Sequence, residues 1–164
     1  MDCFAGKVAL VTGGTSGIGA AVAAHLARKR ARVVIAGRNQ QRGDRAAYSL
    51  TREGFDVSFV QTDVSYEADV KWLVHQTVAT CGGIDYLFNN AGIEGVVGTM
   101  AINTEESVDE ILAVNVKGVF LCMKHAIPRM IDRGGGVVVN TASFTGTTRP
   151  APDRVIYGAS KRRC

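Results

Sequence analysis

Tyr157 and Lys161 stand four residues apart in the run YGASK. On a helix that spacing puts both side chains on one face, one turn apart. A phenol ordinarily titrates near ~10, and an adjacent ammonium favours its phenolate, so the pair can give and take a proton at milder pH. Hydride transfer to a carbonyl leaves an alkoxide that needs such a proton. Ser143 follows an apolar run in VVVNTAS, where its hydroxyl could hold a substrate oxygen beside the phenol. Asn115 lies inside LAVNVKG, and a polar side chain in so apolar a helical stretch wants a specific partner. Each residue alone is commonplace; their order and their places at strand and helix ends carry the argument.

The first apolar run leads directly into TGGTSGIG, residues 12–19. Gly13, Gly17 and Gly19 allow a tight turn and a close approach of backbone to phosphate. The helix that follows would aim free N–H groups and a positive dipole end at a pyrophosphate. The spacing is G-x-x-x-G-x-G, and with NNAG at residues 89–92 it resembles the short-chain dehydrogenase/reductase family over nearly the whole chain.

That resemblance implies a nicotinamide dinucleotide cofactor, NADP or NAD, and a small alcohol or ketone substrate. It implies that Gly13, Thr15, Ser16, Gly17, Ile18 and Gly19 hold the cofactor's phosphates. Asp63, with Val64 beside it, would meet the adenine, and Asn90, Ala91 and Gly92 would lie beside the flat ring systems. Tyr157 and Lys161 would touch the cofactor as well as act on the substrate. Asn115 would bind a water linked to Lys161 in a proton relay. The segment VVIAGRN has Arg38 and no acid where a carboxylate would take a ribose 2′-hydroxyl, which favours NADP over NAD.

The elements that must position these residues alternate regularly. Strands are predicted at 7–11, 32–36, 57–61, 84–89 and 137–140, and helices at 17–30, 40–53, 65–81, 107–133 and from Tyr157 onward. The alternation argues an α/β fold of one domain, residues 1–164, with a doubly wound (Rossmann), mostly parallel sheet. The expected strand order is 3-2-1-4-5. Irregular stretches at 91–104 and 144–156 both follow strands and so belong on the ligand-binding rim.

The composition, 46% hydrophobic and 21% charged with net charge +4, describes an ordinary globular chain. Basic residues are scattered and not interleaved with aromatics, which argues against a nucleic-acid partner. Four cysteines without metal-like spacing, and His25, His75 and His125 without ligand spacing, argue against a metal site and for a reducing cytoplasm. No window reaches the roughly 18 uninterrupted apolar residues of a membrane span, so no membrane partner is expected.

Lys161 is followed only by Arg162, Arg163 and Cys164, whereas members of the resembled family run longer and are usually homo-oligomeric. The chain therefore reads as a C-terminally truncated member, its sheet incomplete at the VVVN edge. A helix of about two turns is marginal alone, so Lys161 is expected to fray. The alternative reading is a catalytically inactive dinucleotide-binding fragment or truncated gene product. The Ser143–Tyr157 interval, with Pro150 and Pro152 inside it, is one residue longer than the family pattern.

Overall fold

A computed structural model describes residues 3–148 and 151–162. The readings placed on Pro150 and on the Arg163-Cys164 tail lie outside the described residues. Five parallel strands form one sheet: β1 (Val8–Thr12), β2 (Arg32–Gly37), β3 (Val57–Gln61), β4 (Tyr86–Asn89) and β5 (Val137–Asn140). Their order is β3-β2-β1-β4-β5, as expected. β1 sits at the centre with every residue buried, which is why it reads as an unbroken apolar run rather than an alternation.

Helices cover both faces and create two cores. On one side α1 (Gly17–Arg28) and α2 (Gln40–Arg52) bring Ala23, Leu26, Ala27 and Ala47 against Val11, Val33 and Ile35. On the other, α3 (Glu67–Cys81) brings Val70, Leu73 and Val74 against Leu10 and Leu87. The same face receives Val114, Leu121, Cys122, Ala126 and Met130.

The predicted helix at 107–133 is built in three pieces. α4 (Glu105–Leu112) starts two residues earlier, because Thr104 accepts the Ser107 N–H at 3.2 Å and caps it. A π-helical turn, Ala113–Lys117, follows, and α5 (Gly118–Asp132) completes the stretch. The 28 residues from Glu105 to Asp132 are long and apolar enough, by length and composition only, to cross a membrane. Here their buried side is a wall of the second core.

Other boundaries differ from expectation as well. α3 begins at Glu67 rather than Ser65, because Asp63 Oδ1 accepts both the N–H (3.0 Å) and the hydroxyl (2.7 Å) of Ser65 and closes a separate turn. β4 begins at Tyr86, although the Asp85 backbone still donates to the Val8 carbonyl and accepts the Val137 N–H, both at 2.9 Å. Between Ser143 and Tyr157, α6 (Phe144–Thr147) forms on a Ser143 cap, and α7 (Val155–Ser160) starts ahead of Tyr157.

Asp85 closes the end of the sheet remote from the rim. It accepts the Val8 N–H at 2.8 Å, Arg133 Nε at 3.1 Å and Lys7 Nζ at 3.4 Å. Burial pushes its carboxyl up, but the Val8 N–H, Arg133 and Lys7 outweigh that and hold it below the ordinary carboxylate value.

Candidate active site

The turn after β1 and the segment after β4 are pinned together by one hydroxyl. Thr12 Oγ1 accepts the N–H groups of Asn90 and Ala91, both at 3.1 Å, and lies 3.3 Å from the Phe88 carbonyl, to which it donates. Asn90 Nδ2 donates to the Gly13 carbonyl at 3.4 Å. This closeness explains Gly13: its φ is +64°, and a Cβ there would stand 2.9 Å from Ala91 Cα. Small residues are needed on both sides of the seam.

A cleft of about 330 Å³ opens above this seam at the carboxyl ends of the strands. The structure places Gly13, Thr15, Ser16, Arg38, Asp63, Val64, Asn90, Ala91 and Gly92 around it. Gly17, Ile18 and Gly19 form the first turn of α1 beside it and are not among the cleft-lining residues. Ile18 is exposed. Sequence reasoning missed Arg42, which also lines the cleft. Asn39 Oδ1 accepts the Arg42 N–H at 2.8 Å and caps α2, so Arg38 and Arg42 flank one helix start. The cap spacing N-x-x-R was visible in the chain, but nothing in it aimed the second arginine at the cleft.

The second half of the site gathers beside Gly92. Lys161 is 3% exposed and donates from Nζ to the Thr141 carbonyl at 3.0 Å. A Cβ on Gly92 would stand 3.2 Å from both Lys161 Nζ and Asn115 Oδ1. Glycine at the cleft's end lets the ammonium and the amide approach this closely; a side chain there would push them back by a few tenths of an ångström.

Asn115 is fully buried inside the π-helical turn. Its Oδ1 accepts the Ile93 N–H at 2.9 Å, and its Nδ2 donates to the Ile93 carbonyl and to Ser160 Oγ, each at 2.9 Å. The partner the sequence demanded is thus double: the segment after β4 and helix α7. A π turn at a functional position recurs in proteins. Here it presents to the site a side chain that a regular helix would rotate elsewhere.

Tyr157 is half-buried in α7, and its carbonyl accepts the Lys161 N–H at 3.1 Å, the one-turn relation expected of the pair. Ser143 lies just past β5, its Oγ accepting the Thr145 N–H at 3.3 Å. The helix it caps packs on α7 so closely that a Cβ on Gly146 would stand 2.7 Å from the Gly158 carbonyl. The expectation that Lys161 frays is corrected. Helix α7 is as short as foreseen, but Asn115, Thr141 and α6 hold it from outside, which is how short helices persist.

A parallel doubly wound sheet with a glycine turn at a helix start and a cleft at the carboxyl ends of its strands defines a Rossmann-type α/β fold. The model of the short chain dehydrogenase family matches residues 7–163, and the chain belongs to that family. It is 42% identical over 156 residues to an uncharacterized oxidoreductase of Thermotoga maritima, covering 95% of this chain and 60% of that protein. It is 40% identical over 158 residues to the human (Homo sapiens) dehydrogenase/reductase SDR family member 2, mitochondrial, covering 96% and 56%. Among solved structures, NAD+-bound xylitol dehydrogenase superposes with a TM-score of 0.92 at 34% identity, covering 97% of this chain and 61% of that one. The chain thus spans about three fifths of the length of these relatives.

Proposed function

We propose that this chain carries NAD(P)-dependent hydride transfer between a secondary alcohol and a ketone. The observation that bears most weight is the convergence of Lys161, Asn115 and Gly92 at one end of a cleft whose other end carries Arg38 and Arg42. The cradle fits a dinucleotide: a Cβ on Gly17, in the turn at the start of α1, would meet nothing within 4 Å, so the backbone there is open to a phosphate, and α1 offers its N-terminus. When bound, the nicotinamide supplies or accepts the hydride.

The chain's own residues do the rest. Ser143 orients the substrate oxygen by hydrogen bond. Tyr157 gives that oxygen its proton in reduction and takes it back in oxidation. Lys161 keeps a positive charge near the phenol, held by the Thr141 carbonyl. Asn115 fixes Ile93 and Ser160, and so the ground on which the Lys161 relay stands.

Arg38 and Arg42 favour a 2′-phosphate, hence NADP over NAD; the solved relative holds NAD+. Homo-oligomers belong to the full-length relatives in this reading. A reducing cytoplasm, with neither membrane nor nucleic acid as partner, belongs to the same reading.

A second reading is a chain that binds the dinucleotide without turning over substrate. It is favoured by β5, whose Val137 and Val139 stand exposed on the outer strand beside the substrate side. Titrating NADPH and NADH by fluorescence and then assaying a panel of ketones separates the two. Tight binding with turnover supports the enzyme, and tight binding without turnover on any ketone supports the second reading. Failure to bind either nucleotide contradicts both.

A further inference from the structure

Helix α7 carries Tyr157 on six residues, so its bearing on the cleft depends on what holds its two ends. The C-terminal end is fixed by the buried bonds of Ser160 and Lys161. The N-terminal end is held differently. Arg154 is its cap residue, and the Arg154 carbonyl accepts the Gly158 N–H at 2.8 Å to close the first turn. The Arg154 Nε is buried without a hydrogen bond and stands 3.6 Å from Glu94 Oε2. One residue away, the Gly98 N–H donates to the Asp153 carbonyl at 2.8 Å.

Glu94 and Gly98 lie in the segment after β4, and Asp153 and Arg154 in the segment after β5. These are the two rim segments that flank the proton-transfer pair, and they are stitched here as well as near the strand ends, where the Thr141 hydroxyl donates to Asn90 Oδ1 at 3.4 Å. Glu94 directly follows Ile93, which Asn115 clamps through both backbone groups. The carboxylate is therefore anchored to the same buried amide that holds the far end of α7. The side chains of Arg154 and Glu94 are 37% and 58% exposed, so the pair adds little to global stability. Its effect is local, on the direction of one short helix.

We propose that the Glu94–Arg154 pair, with the Gly98–Asp153 bond beside it, is a latch that sets the angle of α7 and thereby the place of the Tyr157 hydroxyl. Glu94 and Arg154 are positioning residues, not catalytic ones. Neither is among the residues lining the cofactor cleft, apart from Ile93 next to Glu94. Loosening the latch should thus change turnover and leave cofactor affinity alone. The consequence for turnover rests on the oxidoreductase reading; the latch itself does not.

The test is a charge-swap cycle: Glu94→Arg, Arg154→Glu and the double exchange. Amide exchange at Gly158 and Lys161, kcat, and the Kd for NADPH are measured on each. Each single variant is expected to speed exchange and lower kcat by about fivefold, with Kd unchanged, and the double to return both to within about twofold. Unchanged exchange in the singles, no rescue in the double, or a Kd that weakens in step with kcat would overturn the latch. Should a single variant fold poorly, salt titration of the wild-type protein screens the same pair and must speed the same amides; exchange indifferent to salt would overturn it equally. A wild-type chain without turnover removes the oxidoreductase reading, while the exchange arm still decides the latch.

Discussion

Arg38 and Arg42 divide the work of choosing a nucleotide if the 2′-phosphate sits between them. Removing either cation should raise the Kd for NADPH by about tenfold or more, the worth of a charge-assisted bond, and leave that for NADH nearly unchanged. Parallel weakening of both nucleotides in a fluorescence titration would instead assign the arginines to the shared pyrophosphate. Lys161→Ala removes the ammonium beside Gly92. It should lower kcat by about a hundredfold, with a smaller effect on nucleotide Kd. Cys122 is a nucleophile by type only: burial pushes its thiol up to about 12. In peptide-resolved alkylation it should stay unmodified in the native protein and react once denaturant opens the core.

At the scale of elements, α7 and the π-helical turn show what could and could not be read from the chain. The five strands were legible because VALVT, VVIA and VVVN are short β-branched runs between turn residues, and the parallel order followed from the alternation. The glycine turn, NNAG, Asn115 and the Tyr157–Lys161 pair were legible as motifs. The π turn was not, because a one-residue widening leaves the apolar pattern of residues 105–132 nearly continuous. Nor was the support of α7, because Asn115–Ser160 and Lys161–Thr141 join residues 45 and 20 positions apart, which local propensity does not register. Asn115→Ala would remove the side-chain partner of the Ile93 N–H and carbonyl and one partner of Ser160. A loss of about 2–3 kcal/mol in denaturant unfolding is expected. Asn115→Asp should do little better, since it cannot donate to Ile93 and Ser160; full stability in Asn115→Asp would deny the clamp.

At the scale of the whole molecule, the end of the sheet remote from the rim carries an ionic fastening of its own. Asp85 ties β1, the β4 entrance and the α5 exit together, and its folded pKa is held below the ordinary value. The unfolded carboxyl, titrating near ~3.9, binds more protons than the folded one between the two values. The stabilisation is therefore complete above the unfolded pKa and is lost as pH falls through the folded one. Asp85→Asn should cost about 2 kcal/mol at neutral pH and flatten the acid limb of stability against pH. An acid limb as steep as wild type would place the loss on other carboxylates.

Proton transfer by Tyr157 and Lys161 in step with a hydride decides the proposed function. Its most direct test is the oxidation of NADPH by a reducible ketone, followed at 340 nm at saturating nucleotide (roughly the nicotinamide absorbance maximum), for wild type and Tyr157→Phe. Measurable turnover is expected in the wild type, with a loss of about 10²–10⁴-fold in kcat on removal of one hydroxyl and nucleotide Kd unchanged. Equal turnover in the two proteins would contradict it.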